Sequence, residues 1–132
     1  MVPLSFKEIT SRLETIEFPP IDIVVGIGTG GVPAATMVAY HLGAELQVIT
    51  LNYRDEQNNP LYENPKILYA PDMQLKDKRI LLVDDVSVTG KTMNAALKLL
   101  DGYHVQTCVM KGKADYVLFP EIKDCVKWPW KP

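Results

Sequence analysis

The stretch that most constrains this chain runs from Arg79 to Thr92 and reads Arg-Ile-Leu-Leu-Val-Asp-Asp-Val-Ser-Val-Thr-Gly-Lys-Thr. Ile80 to Val83 are apolar without alternation, the pattern of a strand buried on both faces. Such a strand is stable only inside a sheet that is covered on both sides. It ends in two adjacent carboxylates, Asp84 and Asp85. Thr89-Gly90-Lys91-Thr92 then opens a helix. Carboxylates accept hydrogen bonds from sugar hydroxyls and anchor Mg²⁺, directly or through water. A helix N-terminus preceded by small turn residues offers backbone N–H groups to a phosphate. The spacing therefore suits a phosphorylated sugar, with its hydroxyls at Asp84 and Asp85 and its phosphate at Val86 to Thr92. It does not suit a nucleoside triphosphate. A Walker loop needs a second glycine five residues before Gly90, and Asp85 stands there.

A second glycine-rich turn follows another apolar run. Ile21 to Ile27 reads as a buried strand, Gly26-Ile27-Gly28-Thr29-Gly30-Gly31 as the turn, and Pro33 to Leu42 as a helix stopped by Gly43. The letters match GxGxxG, the dinucleotide fingerprint. That fingerprint also needs an acid at the end of the next strand to hold a ribose, and here the strand Leu46 to Leu51 runs into Asn52. What remains is an anion site, in which small residues let backbone N–H groups approach phosphate oxygens.

The rest of the chain fits between these landmarks. Ser5 and Glu8 have capping-box spacing before Phe6, Ile9, Leu13 and Ile16, so a helix is predicted from Ser5 to Ile16, ended by Pro19-Pro20. Residues 52–73 carry three prolines and little periodicity, which marks a long functional loop holding at most a short strand over Ile67–Tyr69. A strand Arg79–Val83, a helix Thr92–Leu100 and a strand Val105–Met110 follow. Short strands and turns are predicted from Lys111 to Pro132. Strands alternating with helices give an α/β fold: one domain over residues 1–132, built on a central, mostly parallel sheet with helices on both faces and a small C-terminal hood over residues 111–132. Ligands bind beyond the carboxyl ends of strands in such sheets, where both glycine turns lie.

Several function classes are disfavoured. Net charge is −2 with no block of like charges, so no basic stripe for nucleic acid or an anionic membrane is visible. No apolar run reaches the roughly 18 residues of a spanning helix, and the charged first 20 residues do not read as a secretory signal. Cys108 and Cys125 are the only cysteines and form neither a CxxC pair nor a disulfide framework. The expectation is a cytoplasmic protein with two reduced thiols.

Ile80 to Thr92 resembles the signature of the type I phosphoribosyltransferases: an apolar run, two acids, a few residues, then Thr-Gly and a further Thr. The resemblance extends to Ile21–Ala35, similar to the family's pyrophosphate loop, and to Asn52–Met73, similar to its flexible catalytic loop. The closing Pro129-Trp130 is similar to the hood of the 6-oxopurine members, which act on guanine, xanthine or hypoxanthine. The resemblance implies Mg²⁺-dependent transfer of phosphoribose from phosphoribosyl pyrophosphate to a purine base, a 6-oxopurine by the similarity of the hood, with release of pyrophosphate. It implies that Asp84 and Asp85 hold the ribose hydroxyls and Mg²⁺, and that Val86, Ser87, Val88, Thr89, Gly90, Lys91 and Thr92 cradle the 5′-phosphate. Gly28, Thr29, Gly30 and Gly31 would hold pyrophosphate, at a place where the family often has a non-proline cis peptide. Tyr53 and Arg54 would sit on the catalytic lid. Lys111, Cys125 and Val126 would meet the base. It also implies a homodimer that binds small molecules.

Three positions depart from the pattern. Val88 stands where many 6-oxopurine members carry an aspartate that exchanges a proton with purine N7. Cys125 stands where related hoods stack an aromatic on the base, with Tyr116, Phe119 and Trp128 as candidate substitutes. Thr29 stands where members often have Arg or Lys. Lys113 competes with Lys111 for the base-reading role. Val88 and Cys125 favour an alternative, a non-catalytic sensor of phosphoribosyl pyrophosphate or a nucleotide on the same fold; an enzyme for another base is a third reading.

Overall fold

The computed structural model describes residues 1–52, 66–70 and 73–132. In chain order the elements are β1 (Val2–Pro3), α1 (Phe6–Glu14), β2 (Ile23–Gly28), α2 (Val32–Leu42), β3 (Glu45–Asn52), β4 (Lys66–Tyr69), β5 (Arg79–Ser87), α3 (Lys91–Leu99), β6 (His104–Gly112), β7 (Tyr116–Val117) and β8 (Val126–Lys127). The capping box forms. Ser5 Oγ accepts from the Glu8 N–H at 3.0 Å, and a Glu8 carboxylate oxygen accepts from the Ser5 N–H at 3.2 Å.

Six strands make the central sheet in the order β4-β3-β2-β5-β6-β7. Every pairing is parallel except that of β3 with β4. The chain leaves β2 in one direction, through α2 to β3, and later returns to β2's other side as β5. The switch point of the sheet thus lies between β2 and β5, where a crevice opens at the carboxyl ends. Register sets what meets there. Gly26 pairs with Val83, so the turn after β2 and the acids of β5 emerge side by side.

Both faces of the sheet are covered. On one, Ile9 and Leu13 of α1 and Ala34, Ala35 and Val38 of α2 pack on Val24, Leu81, Val83, Cys108 and Met110. On the other, Met93 and Ala96 of α3 pack on Val25, Ile27, Ile80, Leu82 and Val109. This explains the unbroken apolar runs of the central strands. Gly26 has a packing role here. A Cβ at that position would lie 2.6 Å from the Ala35 Cβ, so the absent side chain lets α2 lie close on β2.

Three differences from the sequence reading have physical causes. β2 begins at Ile23 rather than Ile21, because Asp22 is engaged by Arg79: it accepts from the Arg79 backbone N–H at 2.8 Å and pairs with the guanidinium at 2.9 and 3.0 Å. β5 continues past Val83 to Ser87, because β6 is also longer than predicted and keeps pairing through Lys111 and Gly112. The two acids therefore lie within a strand. The third is β1, which sequence periodicity is too short to reveal. It pairs in parallel with β8, Val2 with Val126 and Pro3 with Lys127.

That pairing holds the C-terminal segment down, and α1 helps. Arg12 forms two 2.8 Å bonds with the Glu121 carboxylate, donates to the Leu118 carbonyl, and lies over the Phe119 ring at 4.5 Å. Trp128 stacks on Trp130 with ring centroids 5.3 Å apart and planes 3° from parallel, and Phe6 closes on Trp130 at 6.2 Å.

Gly26→Ala tests the close α2–β2 contact. Overpacking of this kind costs about 1–3 kcal/mol, so the urea midpoint should fall with an unchanged slope. A midpoint equal to the parent's would show that α2 does not press on β2 at this point.

Candidate functional site

Asp84 and Asp85 lie side by side in β5, facing the switch-point crevice. Each is oriented by the backbone: Asp84 Oδ1 accepts from the Asp85 N–H and Asp85 Oδ1 from the Val86 N–H, both at 2.8 Å. Asp84 is buried at 7% exposure, whereas Asp85 is half-buried. Burial first, and the neighbouring charge of Asp85 second, push the Asp84 carboxyl up to about 8. The acid is costly to ionise until a cation or a set of donors arrives.

The turn after β2 closes on this pair. The Gly28–Thr29 peptide is cis, as the resemblance led one to expect. The Gly31 N–H returns to the Ile27 carbonyl at 2.9 Å, and Gly31 caps α2 without a side-chain bond. A Cβ on Gly31 would lie 2.6 Å from the Ile27 carbonyl oxygen and 2.7 Å from Asp84 Oδ1; one on Gly30 would lie 3.3 Å from Asp85 Oδ2. Only glycine at position 31 allows loop and carboxylate to share this space. The structure therefore brings Gly28, Thr29, Gly30 and Gly31 together with Asp84 and Asp85 in one site.

The segment that follows the acids turns away from the sheet into α3. Ser87 is buried, while Val88 is 73% exposed and Thr89 also faces solvent. Gly90 adopts φ 82° and caps α3 with no side-chain bond, leaving the helix start open to an anion. Thr89 Oγ1 accepts from the Lys91 N–H at 3.4 Å. A cavity of about 340 Å³ opens beside this loop, lined by Thr89, Gly90, Asn94, Lys113 and Asp115 among others. Val86 to Thr92 thus form one continuous rim from the acids to the helix N-terminus.

Lys111 lies in β6, and its ammonium donates to the Asp124 carbonyl at 2.6 Å. This bond ties Lys111 to the residue that precedes Cys125, which is exposed, and Val126, which is half-buried. Lys113 lies instead beside the cavity next to α3. The aromatic substitutes for Cys125 are packed elsewhere. Phe119 and Trp128 are each 3% exposed, in the core, and Tyr116 packs on Phe18 at 5.1 Å. Phe119 and Trp128 are thus committed to the core, while Tyr116 is half-buried. Tyr53 and Arg54 lie outside the described residues. Sequence reading missed Lys131, whose ammonium is 3.9 Å from Asp85 Oδ2; a lysine after Pro-Trp near a chain's end gives no pattern to recognise.

Mg²⁺ fits the donor set in one specific sense. Among the described residues no group of three or more His, Cys, Asp or Glu could enclose a metal. Asp84 and Asp85 alone suit a cation that takes its other ligands from water and from a bound phosphate, as Mg²⁺ does.

A glycine turn, paired acids and an open helix start thus meet at the switch point of a mostly parallel α/β sheet. The phosphoribosyl transferase domain model matches residues 9–131, and the chain belongs to that family. It is similar to a transcriptional regulator GfcR from Methanocella arvoryzae, 32% identical over 96 residues, covering 72% of this chain and 44% of the regulator. It is similar to an orotate phosphoribosyltransferase from Saccharolobus solfataricus, 37% identical over 84 residues, covering 63% of this chain and 38% of that enzyme. The chain thus spans less than half the length of these two relatives. In structure it is similar to a purine phosphoribosyltransferase from Pyrococcus horikoshii, with a TM-score of 0.79, 25% identity, and coverage of 99% of this chain and 94% of that one.

The raised Asp84 carboxyl gives a signed pH dependence. The folded protein holds this proton more tightly than the unfolded chain. The stability linked to it is therefore greatest below the ordinary carboxylate value, and is lost as pH rises towards about 8. Asp84→Asn keeps the acceptor for the Asp85 N–H and removes the penalty. In Mg²⁺-free buffer the variant should gain melting temperature over the parent as pH rises from 5 to 8.5. A variant that melts at or below the parent at pH 8.5 would contradict the burial argument.

Proposed function

We propose that the protein transfers the phosphoribosyl group from phosphoribosyl pyrophosphate to a nitrogen of a 6-oxopurine base, releasing pyrophosphate. The observation that carries this reading is the convergence at the switch point, where Gly30 and Gly31 close on Asp84 and Asp85 and the open N-terminus of α3 follows. In this reading Asp84 and Asp85 accept the ribose 2′- and 3′-hydroxyls, Val86 to Thr92 hold the 5′-phosphate, and the Gly28–Gly31 turn holds the pyrophosphate. As the glycosidic bond lengthens, positive charge develops at the anomeric carbon and negative charge on the departing pyrophosphate. The acids steady the sugar. Backbone dipoles at the starts of α2 and α3 steady the phosphates. Mg²⁺, when bound with the substrate, supplies further neutralisation of the leaving group. Tyr53 and Arg54 belong in this reading to a lid that excludes water from the reactive sugar.

Lys111, with Cys125 and the Val126 backbone, is the base-recognition group. A lysine donor favours an oxo over an amino substituent. Because Val88 has no proton to exchange, proton transfer at the purine falls to water or another group. The same reading makes the protein a cytoplasmic homodimer acting in purine salvage.

Val88 also supports a second reading. At 73% exposure it puts an apolar surface where a proton donor would serve catalysis, which suits a sensor that binds phosphoribosyl pyrophosphate or a nucleotide without turnover. The similarity to a transcriptional regulator points the same way.

The deciding measurement is pyrophosphate release with phosphoribosyl pyrophosphate, Mg²⁺ and guanine, xanthine, hypoxanthine, adenine, uracil or orotate. Turnover with an oxopurine is expected. Turnover with orotate or adenine alone would reassign the base. Binding of phosphoribosyl pyrophosphate without turnover on any base would favour the sensor. Asp85→Ala should weaken phosphoribosyl pyrophosphate binding by about 1–3 kcal/mol, the range for lost charge-assisted hydrogen bonds; calorimetry showing equal affinity would remove Asp85 from the ribose site.

A further inference from the structure

The acidic pair creates an electrostatic problem that the glycine turn does not solve by itself. A ligand carrying several phosphate charges must approach two carboxylates, one of them buried, past a glycine turn whose only side chain of any size is that of Thr29. The turn brings backbone dipoles but no cation of its own.

The C-terminal segment supplies one. Lys131 Nζ lies 3.9 Å from Asp85 Oδ2, the same oxygen that lies 3.3 Å from the Cβ position of Gly30. The ammonium and the glycine turn thus flank a single carboxylate oxygen. At 56% side-chain exposure, Lys131 keeps room to change partner. Its backbone is held: the Lys131 N–H donates to the Trp128 carbonyl at 3.2 Å, closing a turn. Trp128 is buried and stacked on Trp130, and β8 just before it is paired to β1. A fixed backbone carrying a half-exposed ammonium beside the acids is the geometry of a ligand-binding group. A single contact at 3.9 Å with a half-exposed ammonium contributes little to stability, so the fold does not depend on it.

We propose that Lys131 is a diphosphate-binding residue of this site. It sits against Asp85 in the free protein and turns to the pyrophosphate arm of the incoming ligand, taking the part that a cationic side chain at Thr29 would play. Two consequences follow. The ammonium lowers the repulsion between the acids and an anionic ligand before binding. Its contribution is confined to ligands with a diphosphate next to the glycine turn, because in the proposed reading the 5′-phosphate is held by the start of α3, which follows the acids at the carboxyl end of β5. The inference rests on the proposed assignment of the Gly28–Gly31 turn to pyrophosphate.

The test is calorimetry on the full chain, parent and Lys131→Met and Lys131→Arg, with phosphoribosyl pyrophosphate, inorganic pyrophosphate and ribose 5-phosphate, each with Mg²⁺. Lys131→Met should weaken pyrophosphate and phosphoribosyl pyrophosphate at least tenfold and ribose 5-phosphate less than twofold, with Lys131→Arg restoring most of the loss. Equal weakening of all three ligands would make Lys131 merely a support for the tail and overturn the proposal, as would unchanged pyrophosphate binding in Lys131→Met. Thermal melts of the variants report folding separately. If the parent binds ribose 5-phosphate but not pyrophosphate, the proposal fails while the sugar-phosphate site stands. If the parent binds none of the three, the assigned function fails and the proposal falls with it.

Discussion

The structure turns on one close approach: the start of α2 against the acids of β5. Gly31 sits where any Cβ would meet Asp84 Oδ1 at 2.7 Å and the Ile27 carbonyl at 2.6 Å. That contact is possible because β2 and β5 are parallel neighbours in a register that brings the glycine turn level with the acids. The register is held by apolar side chains on both faces, so a one-residue slip would exchange the two cores. Alanines 34 and 35 on α2, with Gly26 beneath, let the helix lie low enough for its first turn to reach the crevice. The unremarkable packing of small residues under α2 is thus what places the site's backbone donors.

The cost of the arrangement is charge. Asp84 is buried beside a second carboxylate, and burial in low dielectric disfavours its ionised form. Such an acid is poised. Positive charge or hydroxyl donors brought beside it would relieve that penalty. The three departures from the family pattern read consistently against this background. Thr29, Val88 and Cys125 stand where the family pattern has a cation, a proton carrier and an aromatic, while its glycines, acids and threonines are all present. In the proposed reading, the scaffold for holding a phosphorylated sugar is therefore more complete than the machinery for acting on it. This is why the base panel, and not a binding assay alone, separates enzyme from sensor.

Much of this was legible in the sequence because the signals were local. Four unbroken apolar residues before Asp84 gave the buried strand, Ser5 and Glu8 gave the start of α1, and Gly43 gave the end of α2, where it takes φ 66°. Asp84, Asp85 and the Thr89–Thr92 turn were likewise recognisable by spacing. What was not legible depends on partners distant in sequence. β5 runs on to Ser87 only because β6 continues beside it. β1 has two residues and no period, and exists because β8 is there to receive it. The burial of Phe119 and Trp128, which removes them as base platforms, comes from Arg12 and Trp130, neither of which a local pattern connects to them. Lys131 reaches the acids only through that folded tail.

The two ends of the chain are consequently one structural unit. β1 pairs with β8, Arg12 of α1 grips Glu121, and Phe6 packs on Trp130. These contacts fix the segment that carries Asp124, Cys125, Val126 and Lys131. Asp124 holds Lys111 through its carbonyl, and Lys131 faces Asp85. The N-terminal arm therefore sets the position of the Asp124–Val126 segment and of the tail cation together, from the side of the sheet that carries α1 and α2. A hood of about twenty residues has too little apolar surface to hold a unique shape alone. Here it borrows its core from the N-terminus, which makes the geometry of the ligand site depend on residues at the far end of the sequence.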